Sequence, residues 1–106
     1  MLILPIKKKW FDMILSGEKK EEYREEKYYY VIRFQNIGLL DKDFMVILDK
    51  KVKIMFRNGY SKNSPSFFAT VSLTCGEGKE EWRAESGKEY FVLSIHNVYK
   101  EDTECR

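Results

Sequence analysis

The sequence predicts an α+β domain built as a small mixed β-barrel of five to six strands, with one or two short helices. The first observation is an early segment with helical periodicity that stops at Gly17. The second is a series of short segments that are continuously apolar or alternate apolar and polar residues, as strands do. The third is the length, because 106 residues with this many strands leave few open edges when the sheet closes. We therefore expect a single domain over residues 1–106, with a frayed tail at 100–106.

The helix is predicted over residues 7–16. Trp10, Met13 and Ile14 share one helical face, and lysines occupy the other. Gly17 follows the last apolar residue, where a left-handed C-terminal cap is least costly for glycine. Residues 28–34 are the candidate for a second short helix, although their aromatic and β-branched content also fits a strand.

The predicted strands begin with the apolar residues 1–6. The composition of residues 19–24 favours a helix, but the preceding Gly17 and the aromatic segment that follows indicate a strand instead. In that strand Lys20, Glu22 and Arg24 share one face. The sequence RNGY at 57–60 predicts a turn with a positive φ at its glycine. The remaining strands are predicted at 44–48, 50–56, 67–75 and 90–99.

Composition and motifs indicate a folded cytoplasmic protein without a metal or another cofactor. The net charge of +2 is too small to indicate nucleic-acid binding by itself. Cys75 and Cys105 lie far apart without metal-ligand spacing, so we expect reduced thiols. No segment approaches the ~20 apolar residues of a membrane span. The motifs of nucleoside triphosphate, dinucleotide, zinc-peptidase and serine-hydrolase sites are absent from the sequence.

The charged segment 19–24 is the first candidate site. Most charge runs are solvated strand edges that carry salt bridges. In a small barrel, however, one face of this strand points inward, and a buried lysine, glutamate and arginine would be strongly coupled. Arg24 suits phosphate or carboxylate, a lysine supplies a point charge, and Glu22 acts as a base or an orienting group. Residue chemistry alone leaves both interpretations open.

The second candidate is the basic run over residues 50–62, which carries Phe56 and Tyr60 among its cations. Basic groups beside aromatic rings can hold a nucleic-acid backbone while bases stack, although an ordinary solvated strand face gives the same pattern. Trp82 lies in a polar loop, where it either caps the barrel or stacks on a ligand. His96, the only histidine, is expected to line the barrel or an interface, because no partner for a catalytic role is evident.

The segment ILSGEKKEEYR resembles the signature of the ASCH domains, the activating-signal-cointegrator homology family of the PUA-like superfamily. The family pattern after the first helix is Gly-x-Lys-x-x-Glu-x-Arg, which Gly17, Lys19, Glu22 and Arg24 match. The FRNGY turn and the GEGKEEW…GKEYFVLSI ending are also similar to small bacterial and phage-type members. The resemblance spans nearly the whole chain. It implies a PUA-like barrel with helices over its openings and a cleft lined by the signature residues.

The resemblance also implies RNA binding or RNA-linked chemistry, and the leading hypothesis is a module that binds RNA or a nucleotide through a basic cleft. Lys19 and Arg24 would engage phosphate, and Glu22 would orient them or accept a hydrogen bond from a base edge. A facing wall would come from the FRNGY turn. The expected nucleic-acid-binding residues are Lys19, Lys20, Arg24, Arg57, Asn58, Tyr60 and Trp82.

Two alternatives stay open. One is a small metal-independent hydrolase acting on RNA or a modified nucleoside, with Lys19 and Glu22 as its catalytic acid–base pair. In the family members that hydrolyse N-acetylated cytidine, a threonine nucleophile holds the position of Glu22, so this chain departs from that mechanism. The other alternative is a protein-interaction domain whose charged cluster only ties the barrel together. The expected partner is single-stranded RNA, a nucleotide or a nucleoside, with no membrane and with a monomeric protein.

Overall fold

A computed structural model describes residues 1–100, so all but the first residue of the tail predicted at 100–106 lies outside the described residues. The strands are β1 (Ile3–Ile6), β2 (Glu21–Arg24), β3 (Val52–Asn58), β4 (Ser66–Glu77) and β5 (Glu89–Tyr99). They form one mixed sheet in the order β1-β3-β4-β5-β2, in which β1 and β3 are parallel and the other neighbours antiparallel. The helices are α1 (Lys8–Leu15), α2 (Tyr28–Asn36) and a 3-10 helix at Glu80–Trp82.

The sheet curls into an incompletely closed barrel, which confirms the predicted α+β class. Its two long strands, β4 and β5, shift register at a bulge where His96 has no partner across the ladder. The outermost strands, β1 and β2, approach closely enough for the Arg24 guanidinium to donate to the Pro5 carbonyl at 3.1 Å. One side chain therefore joins the two edges of the sheet.

The sheet is covered on both faces near β5. Phe91 and Leu93 belong to the main core, which α1 and α2 help to fill, whereas Tyr90 and Val92 belong to a second cluster with Trp82. This arrangement follows from the alternation of side chains along a strand. Because β2 pairs with β5, consecutive residues of β2 are likewise divided between the two faces. Glu22 is the cross-strand partner of Leu93, and Tyr23 is the cross-strand partner of Val92.

The first helix forms as the sequence predicts. Phe11 and Ile14 are its buried residues, and Gly17 follows it with a φ of +88°. The segment that fits a helix or a strand becomes α2, whose Phe34 is fully buried and packs edge-on against Phe91. Within residues 1–100, neither helix is long and apolar enough to span a membrane.

The prediction of a buried strand over 44–48 is wrong. Phe44 and Leu48 are 61% and 79% exposed, and the segment makes a single bridge, between Leu40 and Val46. β3 is already paired on both edges, by β1 and β4, so no place remains beside it for a sixth strand. Leu39 and Leu40, just before this segment, supply the apolar side chains that enter the core.

Candidate functional site

Two buried charged residues lie at the centre of the candidate site. Lys19 and Glu22 are each 1% exposed, and they are the buried charged residues of the described chain. Lys19 precedes β2, where its N–H donates to the Met13 carbonyl of α1 at 2.9 Å. Because residue 19 lies outside the strand, strand alternation does not separate it from Glu22.

Both carboxylate oxygens of Glu22 are occupied. Oε1 accepts a hydrogen bond from Lys19 Nζ, and Oε2 pairs with Arg24 Nη2 at 2.9 Å. Burial lowers the pKa of Lys19 below its ordinary value, although the neighbouring carboxylate opposes this shift. Two cations share one carboxylate, so the cluster carries an excess of positive charge when all three groups are ionised.

Arg24 connects this buried cluster to the surface. Its Nη1 donates to Tyr30 Oη at 3.2 Å, and its Nη2 donates to the Pro5 carbonyl and to Glu22. Its Nε is buried without a hydrogen-bond partner among residues 1–100. Arginine has five N–H donors, of which three have acceptors here, so the guanidinium retains hydrogen-bonding capacity.

A cavity of about 390 Å³ opens beside β1 over the Arg24 guanidinium, and we call it the β1 cavity. It is lined by Pro5 and Ile6 of β1, by Gly59, and by Lys7, Arg24, Tyr30, Asn58, Tyr60 and Arg83. This lining, which lies wholly within the described residues, includes no carboxylate. Lys7 and Arg83 form no ion pair with any other residue of the described chain.

A smaller cavity of about 180 Å³ shares Arg24, Tyr30 and Arg83 with the β1 cavity. Its lining includes the carboxylates of Glu25 and Glu85, and Glu25 pairs with Lys88 at 3.1 Å. Mixed charge makes this cavity a poor match for an anion. Of these two cavities, the β1 cavity is the one whose lining combines cations with no carboxylate.

The structure brings together Arg24, Asn58 and Tyr60, three of the residues predicted from sequence. They come from β2, from the end of β3 and from the turn after it, and all three line the β1 cavity. Gly59 in that turn has a φ of +102°, as the RNGY sequence predicts. Lys19 and Glu22 lie beneath the cavity and do not line it.

Lys20 and Arg57 lie elsewhere. The strand prediction put Lys20 on one face with Glu22 and Arg24, but this lysine precedes β2 and is exposed near Gly17, whereas Glu22 is buried. Arg57 belongs to β3, where alternation points it to the face opposite Asn58, and its Nη2 contacts the sulfur of Met55 at 4.0 Å.

Trp82 is 8% exposed and packs with Tyr23 and Tyr90 in the second hydrophobic cluster. Of its two predicted roles, the structural one fits this position, because a buried ring cannot stack on a base unless the cluster opens. His96 lies exposed at the β5 bulge and hydrogen-bonds Ser72 Oγ at 2.7 Å. This exposed position contradicts the barrel-lining alternative for His96, whereas the interface alternative stays a prediction.

In the second candidate site, the basic run over residues 50–62, the structure separates residues that the sequence grouped together. Phe56 is fully buried in the main core, so it cannot alternate with the lysines on an open surface. Lys53 instead lies over the ring of Phe68, its neighbour on β4, at 5.2 Å. The alternation of β3 that the sequence predicts is thus confirmed, and the same alternation removes Phe56 from any binding surface.

The sequence does not predict three polar side chains of the β1 cavity, those of Lys7, Tyr30 and Arg83. Its periodicity puts Lys7 on the polar side of the first helix, and Tyr30 falls in the segment that fits either a helix or a strand. Arg83 follows the 3-10 helix in a left-handed conformation with a φ of +89°, next to Trp82. Sequence periodicity cannot predict such a residue, because the direction of its side chain depends on a single left-handed backbone conformation outside any helix or strand.

The fold and the site together define a small α+β half-barrel with a cation-rich cavity between the edges of its sheet. Within residues 1–100, the His, Cys, Asp and Glu side chains form no group of three that could hold a metal ion. Comparison with known proteins found no matching family model, curated protein or solved structure.

Proposed function

We propose that this protein binds single-stranded RNA by holding a nucleotide in the β1 cavity. The observation that carries the proposal is the lining of that cavity, with three cations, two tyrosines and no carboxylate among its described residues. Cations attract phosphate, and aromatic side chains stack unpaired bases. A volume of about 390 Å³ lies within the range of small-molecule sites.

Each side chain has a chemical role in this proposal. Arg24 and Arg83 face the phosphate, since arginine is well suited to bidentate contacts with phosphate oxygens. Tyr60, 89% exposed, and Tyr30 offer their rings to the base. Asn58 supplies a side-chain amide that can both donate to and accept from a base edge. Glu22 does not touch the ligand but holds Arg24 in place.

The proposal includes membership of the ASCH family, on the strength of the Gly-x-Lys-x-x-Glu-x-Arg signature and the FRNGY turn. It describes a cytoplasmic monomer with a PUA-like fold and an RNA partner. The hydrolase alternative needs Lys19 or Glu22 to reach a substrate. Their side chains are 0% and 2% exposed, so we do not carry that alternative further.

The experiment measures the affinity of the protein for a short fluorescently labelled single-stranded RNA over a fourfold range of salt. We expect weak binding that falls as salt rises, with a logarithmic slope of about 0.7 for each phosphate contact. Arg83→Gln removes a cation from the cavity and should lower both the affinity and this slope. Lys19 and Arg24 are unsuitable for the test, because their replacement would disturb the buried cluster.

Lys62→Gln is the matched control, because it removes one exposed positive charge outside the lining of the cavity. The proposal fails if affinity is independent of salt or if Arg83→Gln binds RNA as well as Lys62→Gln does. The absence of any binding by the unmodified protein would favour the protein-interaction alternative.

A further inference from the structure

The β1 cavity continues into a second one along the same edge of the sheet. This second cavity, of about 150 Å³, shares Pro5, Arg24, Tyr30 and Tyr60 with the first, and we call it the α2 cavity. The two form one groove that follows β1. The shared residues show that a ligand leaving the β1 cavity in this direction stays in contact with the protein.

The α2 cavity ends at a stacked pair of side chains. The Arg33 guanidinium lies 3.4 Å from the ring centroid of Tyr29, and its Nη1 donates to the Tyr29 carbonyl at 3.1 Å. The two residues are one helical turn apart on α2, which holds their side chains on one face. Tyr29 remains 55% exposed and meets Tyr30 edge-on at 5.0 Å.

A planar guanidinium over an aromatic ring is a surface on which an unpaired base stacks. Like the first cavity, the α2 cavity has no carboxylate in its lining, which lies entirely within residues 1–100. Arg24 lines both cavities, whereas Tyr29 and Arg33 line the α2 cavity and not the β1 cavity. A phosphate held by Arg24 would therefore leave one nucleoside for each cavity.

We propose that the groove accepts two consecutive nucleotides of a single strand, with their linking phosphodiester at Arg24. The first nucleoside occupies the β1 cavity, and the second stacks on the Arg33–Tyr29 pair. This inference rests on the proposed RNA binding and adds the number of nucleotides recognised and the direction in which the strand leaves.

The test compares the affinities of a nucleoside monophosphate and of the matching dinucleotide, measured by calorimetry on the full chain. We expect the dinucleotide to bind about tenfold more tightly, since one further base stacks. Tyr29→Ala should remove this gain and leave the affinity for the monophosphate unchanged. Arg33→Gln should reduce the gain in the same selective way.

Tyr28→Ala is the control, because Tyr28 is the adjacent exposed tyrosine of α2 and does not line the groove. The inference is overturned if both ligands bind equally, or if Tyr28→Ala has the same effect as Tyr29→Ala. In those outcomes the monophosphate still binds, and the proposed function stands. Failure of both ligands to bind overturns the inference and the proposed function together.

Discussion

Glu22 is the residue on which the buried charges depend. It is the acceptor for Lys19 and Arg24, whose side chains are 0% and 11% exposed. A buried cation without a counter-charge is costly, and removal of one partner of a buried pair destabilises far more than the pair contributes. The carboxylate is thus required for the fold as well as for the position of Arg24.

Replacement of Glu22 by glutamine should lower the free energy of unfolding by about 3–5 kcal/mol, because two buried cations then face each other. Chemical denaturation measures this change. Glu18→Gln is the control, since Glu18 is exposed on the adjacent turn. Adding Lys19→Met to the glutamine variant should recover part of the loss. Equal stabilities of the Glu22 and Glu18 variants would contradict the interpretation.

Tyr23 carries a second buried polar group, on the opposite face of β2. Its hydroxyl donates to Glu21 at 2.7 Å and accepts from the Lys79 N–H at 3.0 Å. Burial, followed by the hydrogen bond to Glu21, raises the pKa of Tyr23 above its ordinary value of 10.0. The native state therefore holds this proton to a higher pH than the unfolded chain does.

The raised pKa of Tyr23 determines the direction in which stability changes with pH. Above about pH 10 the unfolded state binds fewer protons at Tyr23 than the native state, so stability is lost as the pH rises. Tyr23→Phe should flatten that part of the profile. At neutral pH it should cost about 1–3 kcal/mol, because the Lys79 N–H loses its acceptor. Urea titrations between neutral and alkaline pH measure both effects.

The lowered pKa of Lys19 makes stability rise with pH, opposite to the effect of Tyr23. Because the unmodified protein and Tyr23→Phe both contain Lys19, the difference between their pH profiles isolates the contribution of Tyr23. Tyr28→Phe, at a tyrosine 72% exposed, is the control and should follow the unmodified protein. A Tyr23→Phe profile parallel to that of the unmodified protein above pH 10 would refute the assignment.

At the scale of elements, the segment after β4 folds back closely on β2. A Cβ atom at Gly78 would lie 2.6 Å from Tyr23 Cζ and 2.7 Å from Ala84 Cβ. Both neighbours belong to the second hydrophobic cluster, which places Trp82 and hence Arg83 beside it. The close approach thus links the end of β4 to the wall of the β1 cavity.

Gly78→Ala should destabilise the protein by about 1–3 kcal/mol, because the added methyl group has no space. Gly76→Ala offers a matched comparison two residues earlier, where a Cβ meets no atom of the described chain within 4 Å. That variant should be neutral or slightly stabilising, since alanine loses less backbone entropy than glycine. Thermal denaturation compares the two, and similar melting temperatures would show that the close approach is unimportant.

At the scale of the whole molecule, the candidate site lies where the sheet fails to close. β1 and β2 are the two edges of the strand order, and Arg24 on β2 reaches Pro5 on β1. The gap between these two edges, with α2 alongside, forms the groove that comprises the β1 and α2 cavities. A cleft is therefore available without any opening of the core.

Much of the fold follows from the sequence alone because periodicity is local. The α1 helix with its Gly17 cap, the alternation of β3 and the long strands β4 and β5 are all predicted. The proximity of Lys19, Glu22 and Arg24 is also local, since the three lie within six residues of one another.

Tertiary structure decided the rest, because it depends on contacts between distant segments. The apolar run at 44–48 has the pattern of a strand but stays exposed outside the sheet, because β3, the next strand along the chain, is already paired on both edges. Arg57 and Asn58 are adjacent on β3, so alternation puts them on opposite faces, and the tertiary structure decides that the Asn58 face meets the cavity. Arg83 enters the site through a single left-handed residue conformation. Short-range patterns thus predict most of the elements and place the three charged residues near one another in sequence, whereas tertiary packing decided which charges are buried and which side chains meet.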